Sequence, residues 1–460
     1  MRRFIRLRGP ARCAASHNLS EISFSWHALA GLKLPLFVQV IIGVALGAAL
    51  GVLFGKEPVV FGVGNEDLGN LGLLVIRLLK ALAVPLVLFA ILDAFLKTKL
   101  SGRSGLKLIV ICLINVSVAF VIGLTLMNVV QPGKSSVAEF KKVQEAGNVP
   151  ALKTTLAPDA LSPLKAIDSY VPESLVDPFS KNSIIPVVLL ALLFGAALRK
   201  LKEQSLDIAS IESFIHGVLQ ALIIVLGWVV ATVPFAVFGI VAQVVGRAGI
   251  GVFITLAPFL GIVLLGMGIH SLIYYPAMAW LIGRRSPKEY LGQGADAVLT
   301  AFSTNSSLAT VPITLKCLTE KMGVSHESAR LAACVGTNLN NDGITLYEAM
   351  AALFVAQALG LELTFGQQVV VVLSSLMAGI GIAGIPEAGL VMLPLVLGAM
   401  GLPPQMVAVA IAFVVPVDWI LARARSGVNV MSDMLVAILL DGPRKQVTAV
   451  APSPIGRGSG

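Results

Sequence analysis

The sequence predicts an all-α polytopic membrane protein with eight transmembrane helices and two re-entrant helical hairpins arranged as inverted repeats. Three observations carry this. Of 460 residues, 56% are hydrophobic and 13% charged, with a mean hydropathy of +0.89; soluble domains are roughly 25% charged. Apolar runs of the ~20 residues needed to cross a ~30 Å hydrocarbon core recur along the chain. Finally, the apolar stretch 411–440 carries Asp418, Arg423, Arg425, Asn429 and Asp433. Each charge facing lipid at mid-membrane costs roughly 2.5–3.5 kcal/mol on insertion scales, so these groups face protein or water and mark a site.

Taken in order, residues 1–33 form a basic N-terminal tail, and the apolar runs fall near 34–55, 69–96, 107–131, 182–198, 214–246, 252–283, 328–360 and 404–440. Basic groups follow the even-numbered spans: Lys97, Lys99, Arg103 and Lys107, then Arg199, Lys200 and Lys202, then Arg284, Arg285 and Lys288. The positive-inside rule therefore places both termini, including the 442–460 tail, in the cytoplasm of a cell-membrane protein. The first span starts near residue 34, is long and lacks a clear cleavage motif, so it reads as retained. The Pro- and Ser-containing stretch 132–181 is an extracytoplasmic loop, read as a surface excursion with little direct part in the chemistry. The net charge of +9 is spent on orientation, which disfavours nucleic acid as a partner. Cys13, Cys112, Cys317 and Cys334 have no metal-ligand spacing and read as small apolar fillers, and five scattered histidines give a zinc enzyme no support.

Two hydrophobic stretches are broken by small and turn-forming residues: AFSTNSSLATVPITL (301–315) and MAGIGIAGIPEAGLVML (377–393). Irregular backbone at membrane depth is tolerated only where it lines a cavity, so both read as re-entrant hairpins, against the alternative of kinked ordinary helices. Pro312 precedes Asp342 by 30 residues and Pro386 precedes Asp418 by 32. With opposite parity, this is an inverted repeat of the kind that surrounds a midplane transport site.

The seventh span contains GTNLNNDGITLYEAM (336–350). Asn, Asp and Gly disfavour a helix interior, so local unwinding is expected there. Freed carbonyls, amide oxygens and the carboxylates of Asp342 and Asp433 suit a hard monovalent cation such as sodium; a polar helix contact is the alternative. In the last span Asp418, Ala422, Arg425, Asn429 and Asp433 follow one another by 4, 3, 4 and 4 residues, which keeps them on one helical face, with Arg423 elsewhere. Arg425, with a guanidinium fork that matches a carboxylate, points to an acidic substrate; buried pairing of the acids and bases is the competing structural reading. The Ser-rich tip 303–307 adds hydroxyls and backbone N–H groups for a second carboxylate. Glu348 is a candidate proton carrier, because a carboxylate removed from water is readily neutralised; a carboxylate capped by a hydroxyl or lysine is the alternative. No nucleophile and base or metal set supports an enzyme.

STNSSLATVP, NNDGITLYEA, AGIGIAGIPEAGLVML and VDWILARARSGVNVMSD, in that order, resemble the dicarboxylate/amino acid:cation symporter family of glutamate transporters and C4-dicarboxylate carriers, over roughly residues 34–440. RLLKALAVPLVLFAIL and the QPG after the third span fit it too. The resemblance implies a glutamate-transporter-like homotrimer that moves its substrate by an elevator-like mechanism. It implies a scaffold mainly in 34–283, with spans 3 and 6 contributing to transport, and a transport core in 284–441. No cofactor is implied beyond the coupled ion, Na+ or H+. By motif, the substrate positions are Ser306, Ser307, Ile344, Gly384, Ala422, Arg423, Arg425, Ser426 and Asn429. The sodium positions are Gly336, Asn338, Asn340, Asn341, Asp342, Asn429 and Asp433, with another cation site near 379–382, and the proton position is Glu348.

The departures from the family pattern bear on substrate. Ala422 replaces the aspartate that holds a substrate ammonium, which favours a C4-dicarboxylate such as succinate, malate or fumarate. An acidic amino acid is the alternative, with the ammonium partner supplied elsewhere, for instance by Glu387; a sensor or anion channel on the same scaffold is a further one. Asn341, Ile344, Asn115 and Val116 also depart from the pattern around the cation sites, so fewer ions than usual are expected to bind.

Overall fold

In a computed structural model the protein is almost entirely helical; it describes residues 36–60, 62–97, 102–146, 149–150, 171–181, 184–381 and 387–443. The terminal tails to residue 35 and from 444, most of the long loop, Cys13, Gly384 and Pro386 lie outside the described residues. Five helices are long and apolar enough to cross a membrane among the described residues, and shorter apolar helices accompany them.

The first helices form one packed group. α1 (Leu36–Phe54) is followed by a small antiparallel pair of strands, β1 (Pro58–Val60) and β2 (Val63–Gly64), then by α2 (Asn65–Lys97) and α3 (Gly102–Val130). α4 (Val137–Ala146) begins the long loop; α5 (Ile184–Glu203), α6 (Ala209–Ala231) and α7 (Val233–Ala248) follow it. α1 packs along α7, and α2 packs against α5, α6 and α7. Glycines set the α1–α7 distance: a Cβ at Gly43 or Gly51 would lie 2.7 Å from the Pro234 carbonyl oxygen or the Val245 Cβ. Small residues repeating every four positions let membrane helices approach closely.

The apolar run 214–246, expected as one span, is two helices. Pro234 in the first turn of α7 has no N–H to continue α6, and the Thr232 carbonyl instead accepts from Phe235 and Ala236 N–H groups. The loop expectation also needs correcting at its start. Gly133, Phe140 and Val143 are buried, and Phe140 meets Phe413 edge-on with ring centroids 5.2 Å apart.

The remaining chain packs around one long helix. α8 (Gly251–Gly268) runs through a π-helical turn at Ile269–Tyr274 into α9 (Tyr275–Leu281). α10 (Pro287–Thr304) and α11 (Ser307–Lys316) pack as a pair joined at Asn305, which has φ 52°. α12 (Asp342–Ala358), α13 (Phe365–Gly381), α14 (Ala388–Ala399) and α15 (Pro404–Asp441) complete the chain. α10, α12, α14 and α8 all pack on α15, while α3 packs on α12. The expected unwinding of the seventh span is present: a π turn at Leu331–Val335 and a 3-10 turn at Gly336–Asn338 separate a short helix from α12.

Candidate functional site

Three helix starts converge on one flank of α15. A small open-sided cavity is lined by Asn305, Ile344, Ala388, Ala422, Arg425, Ser426 and Asn429. Asn305 precedes the start of α11, Ala388 opens α14, and Ile344 lies in the first turn of α12. Helix N-termini carry partial positive charge and unpaired N–H groups, so their convergence favours an anion.

Arg425 is the charged centre of this wall. Its Nη1 and Nη2 donate to Asp418 Oδ1 and Oδ2 at 2.9 and 3.3 Å, two turns earlier on the same helix. Its guanidinium also lies 4.0 Å from the Tyr347 ring centroid, a cation–π arrangement. The buried-pair reading of the stripe therefore holds for these two residues, and a cavity lies beside them nonetheless. Gly389 makes room for the fork, since a Cβ there would fall on the guanidinium. Ala422 presents only a methyl group to the cavity. Arg423, also buried, donates from Nη1 to the Trp419 carbonyl at 2.7 Å and is absent from the lining.

At the first tip, Ser306 caps α11 by accepting from Ala309 N–H at 3.1 Å, as an N-cap serine does. The Ser307 hydroxyl is buried with no hydrogen-bond partner among the described residues. Asn305 holds the tip to its surroundings: its Nδ2 donates to Glu387 Oε1 at 2.8 Å, and its Oδ1 accepts from Ser426 Oγ at 3.1 Å. Neither Asn305 nor its bond to Glu387 was an expectation from sequence. The signal available was an asparagine, which tolerates φ > 0, between two helical runs.

The polar groups expected to hold cations gather in neighbouring clusters. In one, Asn340 Nδ2 donates to Ser432 Oγ at 2.7 Å and approaches Asp433 Oδ1 at 3.5 Å, while the Gly336 carbonyl accepts from Leu339 and Asn340 N–H. In another, Asn429 Oδ1 accepts from Gly343 N–H at 2.8 Å, its Nδ2 donates to Asn341 Oδ1, and Asn341 donates to the Gly379 carbonyl. Asp342 faces a third set: Tyr275 and Ser432 donate to its Oδ2 at 2.8 and 2.6 Å, with His270 Nε2 at 3.4 Å. Tyr275, His270 and Ser432 were missed because nothing in their local sequence marks them as partners of an acid about 70 to 90 residues away. Asn338 ends the 3-10 turn. Glu348 is fully buried on α12, and neither carboxyl oxygen has a hydrogen-bond partner, from a hydroxyl or a lysine, among the described residues.

With this geometry in place, the comparisons decide the family. A model described as the sodium:dicarboxylate symporter family matches residues 36–442. The chain belongs to the sodium:dicarboxylate symporter family. It is a membrane transporter, not an enzyme. Similar proteins include excitatory amino acid transporter 3 of Mus musculus, 29% identical over 86% of this chain and 83% of that protein. An excitatory amino acid transporter of Caenorhabditis elegans is 29% identical over 91% of this chain and 88% of its own length. Excitatory amino acid transporter 1 of Homo sapiens is 35% identical over 59% of this chain and 50% of that protein. Within this symporter-family chain, the cavity and the Arg425 fork lie in the part from α10 to α15, and the oxygen-rich clusters add His270 and Tyr275 from the π turn and α9.

Proposed function

We propose that this protein is a sodium-coupled symporter of an acidic amino acid such as aspartate or glutamate. The observation that carries an acidic solute is the cavity beside Arg425, faced by the N-termini of α11, α12 and α14. The relatives' description as excitatory amino acid transporters favours the amino acid. Arg425 takes the distal carboxylate by exchanging part of its bond to Asp418, and Ser306, Ser307 and the tip N–H groups take the other carboxylate. Sodium is held by Asp433, Asn340, the Gly336 carbonyl, Asn429 and Asp342, and Glu348 carries a proton. The eight spans and two re-entrant hairpins, α10–α11 and α13–α14, follow the inverted-repeat reading. Residues 284–441, with α3 and α8, move as a transport body against a trimeric scaffold built on α1, α2 and α7. The dense packing of α10, α12 and α14 on α15 supports one moving body.

A C4-dicarboxylate is the second reading, on one observation: Ala422 gives the α15 wall no free acid, and Asp418 is spent on Arg425. Purified protein in liposomes, offered labelled aspartate, glutamate, succinate and malate under separately imposed sodium and proton gradients, tests both. Sodium-driven accumulation of aspartate or glutamate is expected; accumulation of dicarboxylates alone would overturn the first reading in favour of the second.

A further inference from the structure

We propose that Ser432 is a positioning residue for sodium: its hydroxyl, on α15, orients Asp342 and joins it to Asp433, so that the two acids meet ions as one unit. This role rests on the sodium coupling proposed above and adds to it the group that links the acids. Asp342 and Asp433 are 1% and 2% exposed. Among the described residues no lysine or arginine pairs with either, and the one ion-pair partner is His270, whose Nε2 lies 3.4 Å from Asp342 Oδ2. Carboxylates at membrane depth without such a partner are costly unless a cation or a proton balances them, so the pair fits a small cation. Ser432 itself is fully buried and is absent from the lining of the solute cavity.

The carboxylates at the two ends fix the direction of every bond between them. Asn340 Nδ2 donates to Ser432 Oγ at 2.7 Å and lies 3.5 Å from Asp433 Oδ1. An amide nitrogen only donates, so the serine oxygen accepts there, and its single proton goes to Asp342 Oδ2 at 2.6 Å. Tyr275, fully buried at the start of α9, donates to the same oxygen at 2.8 Å. Both bonds fall on Oδ2 and neither on Oδ1. Asp342 is thereby turned with one oxygen held by protein and the other left for an ion. Groups that orient a ligand from behind in this way are worth about 10–100-fold in metal affinity. The shared hydroxyl also makes the acids interdependent: an ion that draws on Asp433 or Asn340 alters the bond through which Ser432 holds Asp342, and linked bonds of this kind strengthen one another.

The test follows the thermal midpoint of the full chain in detergent as sodium chloride replaces choline chloride at constant ionic strength, with no solute present. An ion that binds the folded chain raises the midpoint, and the sodium concentration at half-effect reports its affinity. Ser432→Ala is expected to shift that concentration upward about tenfold or more and to flatten the sodium dependence. Tyr275→Phe removes the other donor and leaves the acids joined, so it is expected to raise the sodium requirement without flattening the curve. In liposomes at saturating sodium, Ser432→Ala is expected to leave the solute KM unchanged. An unshifted sodium requirement, or a midpoint lowered equally at every sodium concentration, would overturn the inference; the second result would make Ser432 only a packing contact. Ser432→Cys keeps the volume with a weaker donor, and an unshifted requirement there overturns the inference even where Ser432→Ala does not fold. Absence of any sodium effect on the unmodified protein would defeat the sodium reading and this inference together, whereas a sodium effect that Ser432→Ala leaves intact would defeat this inference alone.

Discussion

Arg425 shows how one residue can be legible in sequence while its resting state is not. Its position two turns after Asp418 follows from helical periodicity, and both are buried. The structure adds that the pair is closed, with N–O distances of 2.9 and 3.3 Å. On the function proposed above, a substrate carboxylate competes with Asp418 for the fork. Arg425→Ala removes the anion's partner and strands Asp418, which for a buried pair costs about 3–5 kcal/mol. We expect uptake to fall to background and the thermal midpoint in detergent to drop. Arg425→Lys separates the effects: it keeps the charge and restores most of the stability, but loses the fork, so KM should rise steeply. Unchanged uptake kinetics in either variant would remove Arg425 from the site. Glu348 is the opposite case. Sequence left its roles evenly balanced, and the structure adds that it is fully buried, with no hydrogen-bond partner for either carboxyl oxygen among the described residues.

At the scale of elements, the chain's broken helices were visible because Asn, Gly and Pro punctuate apolar runs for local reasons. The unwound stretch before α12, the turn at Asn305 and the left-handed Glu387 at the start of α14 all fall where such residues cluster. The break between α6 and α7 was not read, although Pro234 marks it, because the apolar run continues through it and composition alone gives one long span. How closely elements approach was also hidden. Gly343, in the first turn of α12, sits where a Cβ would come within 2.5 Å of the Arg425 carbonyl oxygen on α15. Gly343→Ala must push two helices apart, and overpacking of this kind costs about 1–3 kcal/mol. The expected result is a lower thermal midpoint together with loss of uptake, since the same displacement moves Asn429 and Arg425. Gly227, with open space beside it, serves as the control whose replacement by Ala leaves both unchanged.

For the whole molecule, many large apolar side chains are exposed on α1, α2, α3 and α6, among them Leu46, Leu53, Leu78, Val121 and Phe214. Lipid or further copies of the chain must cover them. A homotrimer predicts a protein mass in mild detergent of three times the 48.1 kDa chain, measured by light scattering with the detergent contribution subtracted; a monomeric mass would refute it. The sequence by itself determined the membrane class, the polar stripe of α15 and the breaks in the hydrophobic pattern, because hydropathy, helical period and backbone propensity act over a few turns of chain. The tertiary structure alone decided which acid each donor faces. Asp342 meets Tyr275 and Ser432, Glu387 meets Asn305, and three helix starts from separate parts of the chain close around one small cavity. Those partners lie 67 to 90 residues apart, a separation over which no local preference acts and only packing of the folded chain brings charge and donor together.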